Sequence, residues 1–333
     1  MSKNVKEFAL SLPKGKTYSF GLLGYPLGHS LSPQIHNAAL HALGMRGEYR
    51  LYPVPPEMWP PSLNGRDDGN EIAVGGEEKK QFTLDDVLSQ MRTGQLHGLN
   101  VTIPHKQNVI PLLDELTPAA KTIGAVNTIF LRDEILVGDN TDAPGFWGDL
   151  QRLAESEERR ANLQGSGEHS VFFLPPSALV LGSGGGARAV VYALLSHGFH
   201  VTISARCEDQ TQAEILKSDL SFVSDKIEII CLETDHGSVT TDHFSLLVNC
   251  TPVGMHPHDD ECPWPADLPL PENAAVYDLV YNPRETQFVK RAGAAGLPAA
   301  TGLGMLVEQA ALAFERWTGL EAPRKVMRKA VNY

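Results

Sequence analysis

Apolar positions along this chain alternate between strand-like and helix-like spacing. Residues 19–24 read as a short buried strand, followed by the turn "YPLGHS". Ser32 and Pro33 stand where an N-cap and a first helical position belong, and "PQIHNAALHALG" keeps a helical apolar spacing until Gly44. "EYRLYPVP" is predicted as a second strand, "LDDVLSQMR" as a helix and "LHGLNVTIP" as a third strand. Strand and helix signals continue through "VIPLLDEL", "GAVNTIFLR" and "EILVGDN". Residues 60–81 are rich in Gly, Asp, Glu and Asn without periodicity and are expected to form an exposed loop.

A second charged, weakly patterned stretch, residues 155–168, precedes "SALVLGSGGGARAVVYALLSHGFHVTISAR". That segment reads as strand, Gly-rich turn, helix and strand, a βαβ unit that begins in mid-chain. The expected fold class is therefore α/β with two domains and a boundary near Asp142. No internal repeat is evident.

Bulk properties narrow the function. The 333 residues suffice for two domains with separate cores, and 42% hydrophobic residues is a globular proportion. A formal net charge of -12 argues against a protein that grips nucleic acid. Cys207, Cys231, Cys250 and Cys262 have no CxxC spacing and no paired histidines, so reduced thiols and no metal are expected. The N-terminal stretch lacks the apolar core of a signal peptide, and no run approaches a membrane span. The expectation is a cytoplasmic protein.

"LGSGGGARA" places Gly182, Gly184 and Ala187 in the GxGxx(G/A) dinucleotide fingerprint, with Gly185 opening the helix. Gly182 permits the tight turn and Gly184 admits a pyrophosphate. Ala187 keeps the helix against its sheet, and the helix N-terminus attracts the anion. The following strand ends in "ISAR", so Arg206 takes the place of a 2′-phosphate partner and favours NADP. Glu208 and Asp209 lie close behind and keep NAD open. In the preceding half, Lys106 follows the strand of "NVTIPHK", and Asp142 closes "GDNTD". Singly, each has a plainer reading, Lys106 as a helix-start surface residue and Asp142 as a helix cap. Together they suit a carboxylate that holds an ammonium against a hydroxyl whose carbon loses hydride to nicotinamide.

In order along the chain, "GYPLGHSLSP", "GLNVTIPHK", "GAVNT", "GDNTDAPGF", "GSGGGARA", "NCTPVGM", "YDLVYNP" and "GLGMLVEQA" resemble the shikimate and quinate/shikimate dehydrogenase family. The resemblance implies an N-terminal α/β substrate domain, residues 1–141 completed by helices of 302–333, and a Rossmann-type dinucleotide-binding domain, residues 142–301. A cleft would lie between them, closing over substrate and cofactor. It further implies that Ser30 and Ser32 bind the substrate carboxylate, and that Lys106 is the acid/base with Asp142 as its partner. Asn100, Thr102, Asn127 and Gln309 would contact ring hydroxyls and carboxylate, with Tyr281 lining the site. Thr251, Pro252, Gly254 and Met255 would border the nicotinamide, with Gly302 beside them. His29, His36 and His105 are read as packing or supporting residues.

The implied activity is NADP-dependent interconversion of 3-dehydroshikimate and shikimate by a monomer or homodimer. The alternatives are an NAD-linked quinate/shikimate dehydrogenase and a non-catalytic sensor of the same fold. Three departures from the family pattern stand out: "ARC" where NADP users carry an "NRT"-like end, the two apparent insertions, and Gln287 in place of a common proline.

Overall fold

The computed structural model describes residues 17–56, 82–164, 176–231 and 243–333. In the first half, β1 (Thr17–Gly24) leads through α1 (Ser32–Ala42) to β2 (Arg46–Pro53), its parallel neighbour. After α2 (Leu84–Arg92), β3 (Gly98–Val101) pairs with the other side of β1, and α3 (His105–Asn108) follows at once. The chain continues through β4 (Glu115–Leu116), α4 (Pro118–Ile123), β5 (Thr128–Arg132) and β6 (Ile135–Asp139). Asp133 and Glu134, both at positive φ, make the tight turn of the antiparallel β5–β6 hairpin. The six-stranded order is β2-β1-β3-β5-β6-β4.

One expectation is corrected here. Ser32 is not an N-cap: it is the first residue of α1, preceded by Leu31 in helical geometry with no side-chain capping bond. Ser30 instead accepts a bond from the Ser32 N–H at 3.3 Å. Of the charged stretch 155–168, the residues up to 164 belong to α5, which runs unbroken over Asp142–Gln164. Glu, Arg, Ala, Leu and Gln are strong helix formers and sustain a helix without an apolar stripe. Residues 165–168, like the loop expected at 60–81, lie outside the described residues.

The second half is built from β7 (Ser177–Leu181), α6 (Gly185–Ser196), β8 (His200–Ser204), α7 (Gln210–Leu220), β9 (Ile227–Ile230), β10 (Leu246–Asn249), β11 (Ala275–Asp278), α8 (Gln287–Ala294) and β12 (Ala299–Thr301). Every strand pair is parallel, in the order β12-β11-β10-β7-β8-β9. This is the doubly wound order of Rossmann-type sheets, with the reversal between β7 and β10. Such a sheet is covered on both faces, which is why "SALVL" and "LLV" are continuous apolar runs.

The last two helices, α9 (Leu303–Thr318) and α10 (Arg324–Ala330), return to the first sheet. Trp317 stacks on Phe20 at 4.9 Å and donates to the Ile129 carbonyl at 3.0 Å. The two halves are also tied by Arg188 of α6. It is buried, and its Nε donates at 2.6 Å to the Ile123 carbonyl at the C-terminal end of α4, where a cation is favoured.

The expectation of four reduced thiols is overturned: Cys207 and Cys231 form a disulfide, with Cα atoms 5.6 Å apart, while Cys250 and Cys262 are free. Their separation of 24 residues hides a short spatial path, since they follow the ends of the adjacent strands β8 and β9. Among the described residues no helix is long and apolar enough to cross a membrane.

Candidate active site

The site forms where the ends of β3, β5 and β6 meet the Gly-rich turn after β7. Strand β3 is buried at all four positions and delivers the chain through Thr102 and Pro104 into α3, so Lys106 sits one turn beyond the sheet edge. Lys106 Nζ lies 2.6 Å from Asp142 Oδ2, with the Lys106 side chain 19% exposed and that of Asp142 7% exposed. The lysine is thus reachable and its carboxylate partner is sheltered.

Asp142 is the first residue of α5, but it does not cap that helix. Asn140 accepts from the backbone N–H groups of Asp142 and Ala143 at 3.1 and 3.2 Å. The acid is left to face Lys106 with one oxygen and Asn127 with the other, whose Nδ2 donates to Oδ1 at 2.8 Å. An acid in the first turn of a helix also has its charge favoured by the dipole.

Asn127 is the hub of this cluster. Its amide nitrogen also reaches Thr141 at 3.0 Å and Gln309 Oε1 at 3.3 Å, and its oxygen accepts from the Thr141 N–H at 2.7 Å. Gln309 comes from α9, held by its own bond to the Leu306 carbonyl at 2.8 Å. Gly145 lets α9 approach this closely, for an added Cβ would stand 2.8 Å from the Gln309 backbone nitrogen. Asn100 donates to the Asn127 carbonyl and to Thr128 at 3.1 and 3.2 Å. Those bonds engage the Asn100 amide nitrogen and leave its side-chain oxygen as an acceptor.

That oxygen accepts from Tyr49 Oη at 2.8 Å. Tyr49 is a residue the sequence reading missed. It stacks on His36 at 4.3 Å, faces Ser32 and Tyr281, and is fully enclosed. Burial pushes the His36 ring down to about 3 and the phenols of Tyr49 and Tyr281 up, so all three are neutral in the working range. His105 is buried and bonds the Val54 carbonyl at 2.6 Å, a supporting role. His29 is different: it is exposed at the rim and meets His256 edge-on at 5.0 Å.

On the other side, Gly182 has φ +99°, a conformation open to glycine, and its N–H donates to the Ser204 carbonyl at 2.8 Å. Gly184 has nothing within 4 Å of where a Cβ would stand, so its backbone faces open space at the start of α6. Ala187 is fully buried against the sheet. Gly185 lies against Lys106, whose Cβ is 3.3 Å from the position of an added Cβ. The lysine and the Gly-rich turn therefore share one cleft, and these residues fit a dinucleotide.

A second missed network shapes the loop after β10. Asn249 accepts from the Thr251 N–H at 3.0 Å and its hydroxyl at 2.7 Å, and donates to Asp278 at 2.8 Å. Burial raises the Asp278 carboxyl to about 6, against the opposing bonds from Thr286, Val280 and Asn249. This network shapes the loop that carries Thr251, Pro252, Gly254 and Met255, and Thr251 Cγ2 stands 2.9 Å from where a Cβ on Gly182 would lie; Gly254 has φ +86°, and Met255 is 42% exposed. Gly302 lies against the backbone of Leu279, where no side chain would fit. Arg206, half exposed at the end of β8, pairs with Glu208 at 2.9 Å and Asp209 at 2.7 Å.

An open α/β half and a doubly wound half enclosing a lysine–carboxylate pair define a two-domain, nicotinamide-dependent dehydrogenase. A model of the shikimate dehydrogenase substrate-binding domain matches residues 22–129, and one of the shikimate 5′-dehydrogenase C-terminal domain matches residues 302–331. The chain belongs to the shikimate dehydrogenase family. It is 37% identical over 318 residues to the shikimate dehydrogenase (NADP(+)) of Carboxydothermus hydrogenoformans, covering 96% of this chain and 98% of that one. It is also similar to a shikimate dehydrogenase solved with NADP+ (TM-score 0.73, 32% identity, 95% of each chain). The Thermus thermophilus enzyme in complex with NADP(H) and shikimate matches at TM-score 0.68 and 33% identity, over 95% of this chain and 98% of that one.

Proposed function

We propose that this chain catalyses the reversible NADP-dependent reduction of 3-dehydroshikimate to shikimate, a reaction at a CH–OH group. The observation that carries this reading is the Lys106–Asp142 pair set against the Gly-rich turn. Binding alone does not need a proton-transfer pair, which speaks against a sensor. NADP would lie over Gly182, Gly184, Gly185 and Ala187, with the nicotinamide beside Thr251, Pro252, Gly254, Met255 and Gly302, and would supply the hydride.

In the reduction, the Lys106 ammonium gives a proton to the carbonyl oxygen; in the oxidation, its amine takes the proton from the hydroxyl. Asp142 fixes the ammonium and offsets its charge. Ser30 and Ser32 at the start of α1 hold the substrate carboxylate through neutral hydroxyls. Asn100, Thr102, Asn127 and Gln309 select the ring hydroxyls, and Tyr281 covers the ring. Closure over the bound pair keeps water off the hydride path. In domain terms, residues 1–141 with 302–333 would hold the substrate and residues 142–301 the cofactor. The working state is a cytoplasmic monomer or homodimer.

Selectivity between shikimate and quinate tests the serine pair. Quinate carries one more hydroxyl on the carbon that bears the carboxylate. Two serines committed to the carboxylate leave that group unpaired, at a cost on the order of a kcal/mol or more. The expected kcat/KM for shikimate exceeds that for quinate by roughly tenfold. Ser32→Gly should narrow the gap, and equal efficiency on both substrates would remove the serines from this role.

Cofactor choice tests Arg206. Its guanidinium is free to exchange the exposed Glu208 and Asp209 carboxylates for a 2′-phosphate, a partner absent from NAD. Arg206→Ala should raise the KM for NADP about tenfold and leave that for NAD nearly unchanged. The same two carboxylates favour the second reading, an NAD-linked quinate/shikimate dehydrogenase in which Glu208 or Asp209 accepts from the ribose hydroxyl. A wild-type preference for NAD would establish that reading instead.

A further inference from the structure

All three candidate readers of the adenosine 2′ position lie at one covalent cross-link. Arg206 directly precedes Cys207, and Glu208 and Asp209 directly follow it in the short turn Cys207–Asp209. Cys231 stands one residue beyond β9, whose last residue, Ile230, is in register with Ser204 and accepts from the Ala205 N–H at 3.2 Å. The bond thus staples the turn that carries Arg206 to the neighbouring strand. It also closes the loop containing α7, whose Gln212 meets Ser183 of the Gly-rich turn at 3.3 Å. The cross-linked segment borders the nucleotide site on two sides.

The two sulfurs differ in access: Cys207 is an exposed residue, whereas Cys231 is 1% exposed. Exchange with a soluble thiol therefore has one open sulfur to attack. Cys250 offers no competing chemistry, since burial raises its thiol far above its ordinary range. In a reducing compartment, a cysteine pair held in bonding position is characteristically a reversible one.

We propose that Cys207–Cys231 is a reversible dithiol–disulfide site that sets the affinity for the 2′-phosphate of the cofactor, an inference resting on Arg206 as the phosphate partner. A small dithiol attacks Cys207 Sγ, the protein S–S bond breaks, and Cys231 leaves as thiolate and takes a proton. The second thiol of the reductant then displaces Cys207, so the protein pair is reduced and the reagent is oxidised to its disulfide. With the staple intact, the turn is ordered before the cofactor arrives. Once it is open, binding must order Arg206 and its neighbours, and affinity falls.

The test compares the full-length protein after oxidation with oxidised dithiothreitol, after reduction with dithiothreitol, and as Cys207→Ser and Cys231→Ser. Alkylation under denaturing conditions, read by mass, reports the state of the pair. KM values are then measured for NADP and NAD with shikimate. The expected result is a KM for NADP about fivefold higher in the reduced protein and in both variants, with the NAD value and kcat at saturating NADP little changed. Neither variant should respond to reductant. A pair that alkylates fully after oxidation, or an NADP preference that is identical in both states, overturns the proposal. A protein with no preference for NADP in either state instead overturns the assignment of Arg206 on which it rests.

Discussion

Replacing Lys106 with alanine is expected to lower kcat by about a hundredfold or more, the range for losing a positioned acid/base, with a smaller effect on KM. The geometry supplies the reason. The ammonium lies 2.6 Å from Asp142, with the Asn127 amide on the other carboxylate oxygen and Gly185 of the Gly-rich turn against the lysine stem. Asp142 keeps that contact because Asn140 has taken over the capping of α5 and Asn127 holds the second carboxylate oxygen. On the proposed roles, alanine would remove the proton donor for the reduction and the acceptor for the oxidation, and would leave Asn100, Asn127 and Gln309 for the ring. Asp142→Asn should fall between the two enzymes, since an amide still orients the lysine without offsetting its charge. Steady-state kinetics with shikimate as the varied substrate separates kcat from KM; near-normal kcat in Lys106→Ala would remove the lysine from proton transfer.

The second large effect is on stability. Asp149 on α5 is fully buried and accepts from Arg152 Nη2 at 2.8 Å, Tyr277 Oη at 2.8 Å and Tyr333 Oη at 3.1 Å. Burial and the adjacent Asp149 charge push the Tyr277 and Tyr333 phenols up, so they remain donors. Gly304 of α9 packs onto the carboxylate where no side chain would fit. One anion thus joins α5, β11, α9 and the C-terminal tyrosine. Asp149→Ala leaves Arg152 and the Tyr277 hydroxyl without their partner, which should cost about 3 kcal/mol. Thermal unfolding followed by circular dichroism should show a midpoint lower by about 4 °C for a chain of this length. A midpoint within about 1 °C of wild type would mean that water replaces the carboxylate at no cost.

The parts of this molecule legible in the sequence are those governed by local pattern. The βαβ unit around Gly182 is one, because a tight turn, a close approach and a helix start each demand a residue type at a fixed offset. Strand β3 running into Lys106 is another. What escaped the reading depends on contacts distant along the chain. Tyr49 falls on the inner side of β2, yet its hydroxyl finds Asn100 two strands away in the sheet order. Asn249 and Asp278 meet only because β10 and β11 are adjacent, and Cys207 meets Cys231 for the same reason at β8 and β9. The end of α5 gave no such pattern to read: its charged stretch is rich in strong helix formers but lacks the apolar period that marks a packed helix. At α1, a serine followed by proline has the look of a cap, but the helix begins one residue earlier than that pattern implies, and the Ser32 N–H donates to Ser30 instead.

The central claim is that this cleft turns over shikimate with NADP through Lys106. The most direct measurement is the initial rate of reduced nicotinamide formation, read by absorbance, for purified wild-type protein given shikimate or quinate with NADP or NAD. Robust turnover is expected with shikimate and NADP, weaker turnover in the other three pairings, and a rate lower by about a hundredfold or more in Lys106→Ala. Shikimate binding by calorimetry without turnover in any pairing would contradict the claim.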